Sequence, residues 1–119
     1  MKAGRPVSIK LLVHDVDASV AFYQAALGLR WVPEIWSFQS GEYPHDDFFL
    51  VSLDGPADAD GRPIGASQFG YSVEDVDGAH QKALAAGAQE WYPPQDNPGA
   101  PRSSGIEDPD GNRIELFQA

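Results

Sequence analysis

Two similar stretches of the sequence stand 60 residues apart: KLLVHDVD at residues 10–17 and GYSVEDVD at residues 70–77. Each copy is a short apolar segment that ends in Asp-Val-Asp and leads into an alanine-rich helical segment. Each helical segment stops at a glycine, Gly28 or Gly87, because glycine readily takes the left-handed conformation at a helix end. A repeat at this spacing predicts two copies of one supersecondary unit, which bury their apolar faces together.

Apolar periodicity and turn residues predict the same order of elements in both halves, strand–helix–strand–strand–strand. The expected strands of the first half cover residues 7–13, 29–36, 37–43 and 47–53. Those of the second half cover residues 67–73, 90–92, 103–107 and 112–117. The segment from Pro93 to Arg102 is expected to be a long loop and a candidate lid, with Arg102 available to an anion.

The pattern predicts an α+β protein of two tandem βαβββ modules that form a curved mixed sheet around a groove. We expect one domain over residues 1–119, with modules at about residues 5–54 and 66–119. The stretch between them, residues 55–65, is rich in glycine, proline and aspartate. Such a composition is typical of a linker.

The composition excludes several classes of function. The 119 residues carry 18 acidic and 8 basic side chains, a formal net charge of −10, and no cysteine. The charge argues against nucleic-acid binding, which needs clustered Lys and Arg. It favours a cationic ligand modestly, or simply keeps the protein in solution. The absence of cysteine excludes disulfides, thiolate metal sites and cysteine nucleophiles.

The sequence also predicts the location of the protein. No apolar stretch reaches the ~18–20 residues of a membrane span. Residues 1–6 show no signal-peptide pattern. We therefore expect a cytoplasmic protein without a membrane partner.

Two motifs resemble a known family, the vicinal oxygen chelate superfamily of glyoxalase I, extradiol dioxygenases, fosfomycin-resistance transferases and bleomycin-binding proteins. DVDASVAFY at residues 15–23, followed by LGL at residues 27–29, resembles its first helix. EDPDGNRIEL at residues 107–116 resembles its closing hairpin. The resemblance covers the whole chain and implies the glyoxalase/bleomycin-resistance/dioxygenase fold. It implies the function only broadly, because one fold hosts many chemistries.

Enzymes of this superfamily hold a divalent metal through His, Gln or Glu, and the resemblance implies where those ligands would stand. The first-strand positions are Ser8 and Gln68, and the last strand of the second half offers Glu115. The last strand of the first half has no acid or imidazole among residues 48–53. A carboxylate, an amide and a hydroxyl suit Zn, Ni or Fe poorly and Mg or Mn weakly. We expect no cofactor, with a divalent metal ion as the alternative.

The role of Glu115 and that of Gln68 can each be interpreted in two ways. Alternation along the last strand places Ile114 and Leu116 on one face and Glu115 on the other, with Arg113 and Phe117. Glu115 either accepts a hydrogen bond from a ligand or acts as a general base, or it only bonds a neighbour. Gln68 either binds a ligand amide or carbonyl, or satisfies neighbouring polar groups.

Aromatic residues suggest what the groove binds. Trp31, Trp36 and Phe38 lie after the first helix, and Trp91 and Tyr92 lie at the corresponding place in the second half. In the drug-binding proteins that the chain resembles, aromatics there stack flat ligands, and stacking contributes ~0.5–1.5 kcal/mol per aromatic pair. Packing in the core or at a dimer interface is the alternative.

The histidines do not cluster in the sequence. His14 and His80 are expected at surface or cap positions. His45-Asp46-Asp47 is expected to be a solvated turn, with a place at the mouth of the groove as the alternative.

The sequence therefore predicts a metal-free protein that binds a planar or amphiphilic small molecule, as antibiotic-sequestering proteins do. The alternative is a metal-dependent lyase, isomerase or dioxygenase that uses Glu115. A homodimer is expected, because the superfamily often builds its groove across a dimer and small modules gain core by pairing. The ligand, any reaction, domain swapping and the part of the His45-Asp46-Asp47 loop stay open.

Overall fold

The computed structural model describes residues 4–119, so the first three residues of the predicted 1–119 domain lie outside the described residues. These residues form two βαβββ units, as the repeat predicts. The first unit contains β1 (Ser8–Leu12), α1 (Val16–Leu27), β2 (Trp31–Val32), β3 (Ser37–Ser40) and β4 (Phe49–Asp54). The second contains β5 (Gln68–Val73), α2 (Val76–Ala85), β6 (Gln89–Asn97), β7 (Ala100–Glu107) and β8 (Arg113–Gln118).

Each unit forms its own four-stranded mixed sheet. The strand order is β1-β4-β3-β2 in the first sheet and β5-β8-β7-β6 in the second. In both, the first strand runs parallel to the last, and the remaining pairs are antiparallel. The identical order confirms the tandem modular fold, with two sheets in place of one continuous sheet.

The repeated Asp-Val-Asp sequence is a helix start in both units. The side chain of Asp15 accepts a hydrogen bond from the amide of Ala18, and that of Asp75 accepts one from Gly78. Such caps satisfy amides that the first helical turn leaves free. The first aspartate of each copy, Asp15 or Asp75, is thus the helix cap. At the other end, Gly28 takes the expected left-handed conformation, with φ +66°.

One core joins the two units. The helices α1 and α2 pack against each other, and the helix-facing sides of both sheets belong to a single apolar cluster. Its fully buried side chains include Leu11, Tyr23, Leu53, Ile114 and Leu116. The described residues leave the opposite side of each sheet open. We call these sides the first and the second open face.

The predicted lid is a strand hairpin instead. β6 runs through Pro93 and Pro94 to Asn97, and β7 begins at Ala100. Proline cannot donate to a strand ladder, so it belongs on edge strands and at bulges. β6 is an edge strand, and its register with β7 shifts around both prolines.

The predicted strand over residues 29–36 is also shorter in the structure. Only Trp31–Val32 pair with β3, and a 3-10 turn follows over Pro33–Ile35. Pro33 stands at the first position of that turn, which suits its fixed φ and missing amide hydrogen.

Neither helix within residues 4–119 is long and apolar enough to cross a bilayer.

Candidate ligand-binding site

The second open face is built by the alternation of β8 and its neighbours. Ile114 and Leu116 of β8 point into the core, so Glu115 and Phe117 point away from it. Across the sheet, Glu115 is flanked by Gly70 of β5 and Gly105 of β7. Two glycines beside the carboxylate leave room above the sheet for other groups.

Gly105 gives that room to two aromatic rings. A side-chain carbon at Gly105 would lie 2.5 Å from the ring of Tyr92 and 2.6 Å from that of Trp91. The strand register shifts between Glu90 and Tyr92, and this bulge brings two consecutive aromatic side chains to one face. The rings of Trp91 and Tyr92 meet edge to face, with centroids 5.2 Å apart.

Hydrogen bonds fix the carboxylate of Glu115. The hydroxyl of Tyr92 donates to Glu115 Oε2 at 2.8 Å, and Gln68 Nε2 donates to Oε1 over a long 3.5 Å. The same hydroxyl lies 2.9 Å from Ser103 Oγ, which accepts from Asn97 Nδ2 at 2.8 Å. Polar groups of four strands thus form one hydrogen-bond network, in which Tyr92 and Gln68 contact the carboxylate itself.

A cavity of about 440 Å³ lies over this network. Its lining combines aromatic rings with amide, hydroxyl and carboxylate groups: Trp91, Tyr92, Gln95, Asn97, Ala100, Ser103, Glu115 and Phe117. The volume falls in the range of small-molecule sites, which are mostly apolar with a few placed polar groups.

Two features set the electrostatics of the face. Burial, reinforced by the nearby Glu115 carboxylate, raises the pKa of Tyr92 above its usual value of 10.0, so the phenol stays a neutral donor. Arg113 lies 4.6 Å above the Trp91 ring and 3.5 Å from Glu107. A guanidinium in this position holds the indole through a cation–π contact.

The donor set does not fit a divalent metal. Glu115 already accepts from Tyr92, Gln68 presents its amide nitrogen to that carboxylate, and Ser8 belongs to the other sheet. Within residues 4–119 no three His, Asp or Glu side chains come close enough together to hold an ion. No metal step is therefore assigned to this face.

The aromatics of the first half lie elsewhere. Phe38 is 2% exposed and packs against Tyr23 in the core, rather than on the groove. Trp31 pairs with Phe38 on the same side of the sheet, with ring centroids 4.9 Å apart. Trp36 is 60% exposed beside the start of α1. Of the predicted aromatics, only Trp91 and Tyr92 line the cavity at Glu115.

His80 corrects a second expectation, because it is fully buried. Its Nδ1 lies 2.8 Å from Ser104 Oγ and its Nε2 lies 2.9 Å from Glu90 Oε1. These partners come from β6 and β7, and they satisfy both ring nitrogens in the core. His14 is exposed as expected and contacts Asp110.

Arg102 and the loop His45-Asp46-Asp47 both lie outside the cavity at Glu115. Arg102 is not available to an anion, because its guanidinium pairs with Asp77 at 2.9 Å and Asp96 at 3.1 Å. His45-Asp46-Asp47 is an exposed turn between β3 and β4. The predicted site residues thus divide between two sheets, with Gln68, Trp91, Tyr92 and Glu115 together.

Sequence reasoning missed several contributors to the site, among them Asn97, Ser103, Gly105 and Phe117. Phe117 shares the alternation of Glu115, which is a signal present in the sequence. The other three depend on the register of β6 against β7, which bulges alter.

Known proteins share this sequence pattern and this fold. The profile of the Glyoxalase/Bleomycin resistance protein/Dioxygenase superfamily matches residues 5–116. The chain belongs to this superfamily. Its members bind small molecules, and the second open face is the candidate place for one here.

Individual relatives are distant. An uncharacterized protein of Pseudomonas aeruginosa is 27% identical to this chain in an alignment of 119 positions, which covers 91% of this chain and 84% of that protein. The structure of TnmS3, an antibiotic binding protein from Streptomyces, gives a TM-score of 0.71 at 22% identity, covering 99% of this chain and 98% of TnmS3. Glyoxalase I from Zea mays gives 0.72 at 24% identity, covering 97% of this chain and 44% of that one. Both structural likenesses establish the fold.

Proposed function

We propose that the protein binds a planar or amphiphilic small molecule on its second open face without a metal, as a sequestering protein does. One observation supports this above all. Trp91, Tyr92 and Phe117 surround the fixed carboxylate of Glu115 within a single cavity.

The lining suits a flat molecule with a polar edge. Each aromatic contact adds ~0.5–1.5 kcal/mol beyond the buried area. Glu115 accepts a hydrogen bond from an N–H or O–H of the ligand, and a bond to a charged group contributes ~1.5–3 kcal/mol. Binding would therefore combine stacking with one directional contact.

The relatives support the same class of function. TnmS3 is described as an antibiotic binding protein and shares the fold over nearly the whole chain. The competing function, a metal-dependent lyase, isomerase or dioxygenase, has in its favour a half-buried carboxylate, Glu115, on the second open face. The poor donor set at this face disfavours it.

We further propose that the binding protein is a homodimer. The cavity at Glu115 is lined by β6, β7 and β8 alone, so nothing from the first sheet covers it. The first open face carries Ser8, Lys10, Gln39 and Leu50, a mixed polar and apolar surface. A second copy would place this face over Glu115 and complete the groove.

The cytoplasmic location of the protein stays a prediction.

The test is a screen of planar aromatic antibiotics by tryptophan fluorescence. A binder is expected to quench the emission saturably. The Trp91→Leu variant should lose both the quenching and the affinity. Trp36→Leu serves as the matched control, because it removes a tryptophan outside the cavity, and it should leave the affinity unchanged.

A calorimetric titration of the best binder completes the test. Glu115→Gln keeps the size of the side chain but removes its charge, so the affinity should fall roughly 10-fold or more. Equal affinities of wild type, Trp91→Leu and Glu115→Gln would refute the site.

A further inference from the structure

Trp31 and Trp36 form a corner on the first unit, away from the second open face. Their rings stand at 87° to each other, with centroids 6.5 Å apart. Trp31 is anchored from behind by Phe38 at 4.9 Å, whereas Trp36 is 60% exposed. Two perpendicular indoles therefore present aromatic surface to one space.

That space consists of two adjoining cavities. A small one of about 180 Å³ is lined by Val16, Asp17, Trp31, Pro33 and Trp36. A larger one of about 480 Å³ shares Val16, Asp17 and Trp36 with it and continues toward the end of β4. Trp36 and Asp17 thus stand at the junction of an apolar pocket and a wider polar one.

The charge of the wider cavity is negative. Its lining includes Asp15, Asp17, Asp54 and Asp58, and it includes no lysine, arginine or histidine from residues 4–119. Asp15 is used as the cap of α1, and Asp54 pairs with Lys10 at 3.2 Å. The carboxylates of Asp17 and Asp58 make no hydrogen bond or ion pair within the same residues.

We propose that this corner is a second binding site, which takes an organic ammonium group carried on a small molecule. A cation over the face of tryptophan is attracted by the ring quadrupole, and indole is the best of the aromatic rings for this contact. The pocket between the two indoles receives the alkylated nitrogen, and Asp17 faces its charge. The site is independent of the function proposed for the second open face.

The test uses choline as the probe and 3,3-dimethyl-1-butanol as its neutral counterpart of the same shape. The indole N–H signals of the three tryptophans are followed by two-dimensional NMR during each titration at constant ionic strength. We expect choline to shift the signals of Trp31 and Trp36 saturably and to leave that of Trp91 in place. The neutral alcohol should bind roughly 2- to 30-fold more weakly, the range of one cation–π contact.

Variants separate the contribution of the Trp36 ring from that of the Asp17 carboxylate. Trp36→Leu keeps an apolar side chain but removes the ring, so the choline response of Trp31 should disappear. Asp17→Asn keeps the size of the side chain and should weaken choline binding several-fold. Trp91→Leu alters the other face and should leave the choline response of Trp31 and Trp36 unchanged.

Three results would overturn the proposal. The first is an equal response to choline and to the neutral alcohol. The second is a choline response confined to Trp91, which would assign the cation to the second open face. The third is a shift that follows protein concentration rather than choline, which would mean that a second copy covers Trp36.

Discussion

The hydroxyl of Tyr23 joins the two units through a single buried contact. It donates to Asp108 Oδ2 at 2.6 Å, from α1 to the turn between β7 and β8. The same carboxylate accepts from the amides of Asp110 and Asn112 and from Asn112 Nδ2. Asn112 in turn accepts from the amide of Ser67. The closing hairpin of the family is therefore a structural junction here.

Removal of the Tyr23 hydroxyl should destabilise the fold. Tyr23→Phe leaves a buried carboxylate with one donor fewer, and we expect the free energy of unfolding to fall by ~1.5–3 kcal/mol. Urea unfolding of wild type and variant measures this loss of free energy. Tyr71→Phe is the control, since the Tyr71 hydroxyl has no hydrogen-bond partner within residues 4–119, and it should change little. Equal losses in both variants would contradict this role.

The same residue predicts a loss of stability at alkaline pH. Burial, with the adjacent Asp108 carboxylate, raises the pKa of Tyr23 far above its usual 10.0. Below pH 10 the phenol is protonated in both folded and unfolded chains. Above it the unfolded chain loses the proton first, so stability falls by up to ~1.4 kcal/mol per pH unit.

Urea unfolding from neutral pH to about pH 11 measures this dependence. The stability of Tyr23→Phe should decline less steeply than that of the wild type above pH 10. Parallel pH profiles would show that Tyr23 does not carry the effect.

At the scale of elements, the bulged pairing of β6 with β7 creates the aromatic surface. The Gly105→Ala substitution would place a methyl group against both Trp91 and Tyr92. We expect it to displace the rings, to cost ~1–3 kcal/mol of stability through overpacking, and to weaken ligand quenching. Thermal unfolding and near-ultraviolet circular dichroism report the two effects.

Gly55→Ala is the control for this substitution. Its added carbon would meet only Val16, at an ordinary 3.8 Å, and the backbone φ there is −85°. If Gly105→Ala and Gly55→Ala unfold alike and retain the same near-ultraviolet spectrum, the close packing over Gly105 is refuted.

Local patterns in the sequence predict the elements but not all of their surroundings. The repeat, the aspartate caps and Gly28 are local signals, and they place both helices and the strand order. The burial of His80 was missed because it depends on tertiary packing against Glu90 of β6 and Ser104 of β7. The core position of Phe38 was one of two alternatives in the sequence, because the face of a short strand depends on its register with β4.

The candidate site was predictable in part for the same reason. The resemblance to the superfamily implies Glu115 and Gln68 as site positions, and alternation within β8 places Glu115 on the open face. The separation of Trp31 and Trp36 from this face depends on the 3-10 turn after β2 and on the packing of two sheets. No pattern within a single element reports either.

At the scale of the whole molecule, the arrangement of the sheets leaves both open faces uncovered by residues 4–119. We expect light scattering after gel filtration to give twice the chain mass of 12.9 kDa. Leu50→Arg on the first open face should shift the protein to monomer and weaken ligand binding. Glu74→Arg, in an exposed turn, is the control. A monomeric wild type that binds its ligand fully would contradict the dimer.

The central claim is that the second open face binds a small molecule without a metal. The most direct measurement is a calorimetric titration of the best planar binder into protein stripped with a chelator, repeated after loading with Ni, Zn and Mn. We predict the same affinity in every case and no turnover of the ligand. Binding or turnover that appears only with a metal would contradict the account and would favour the enzyme.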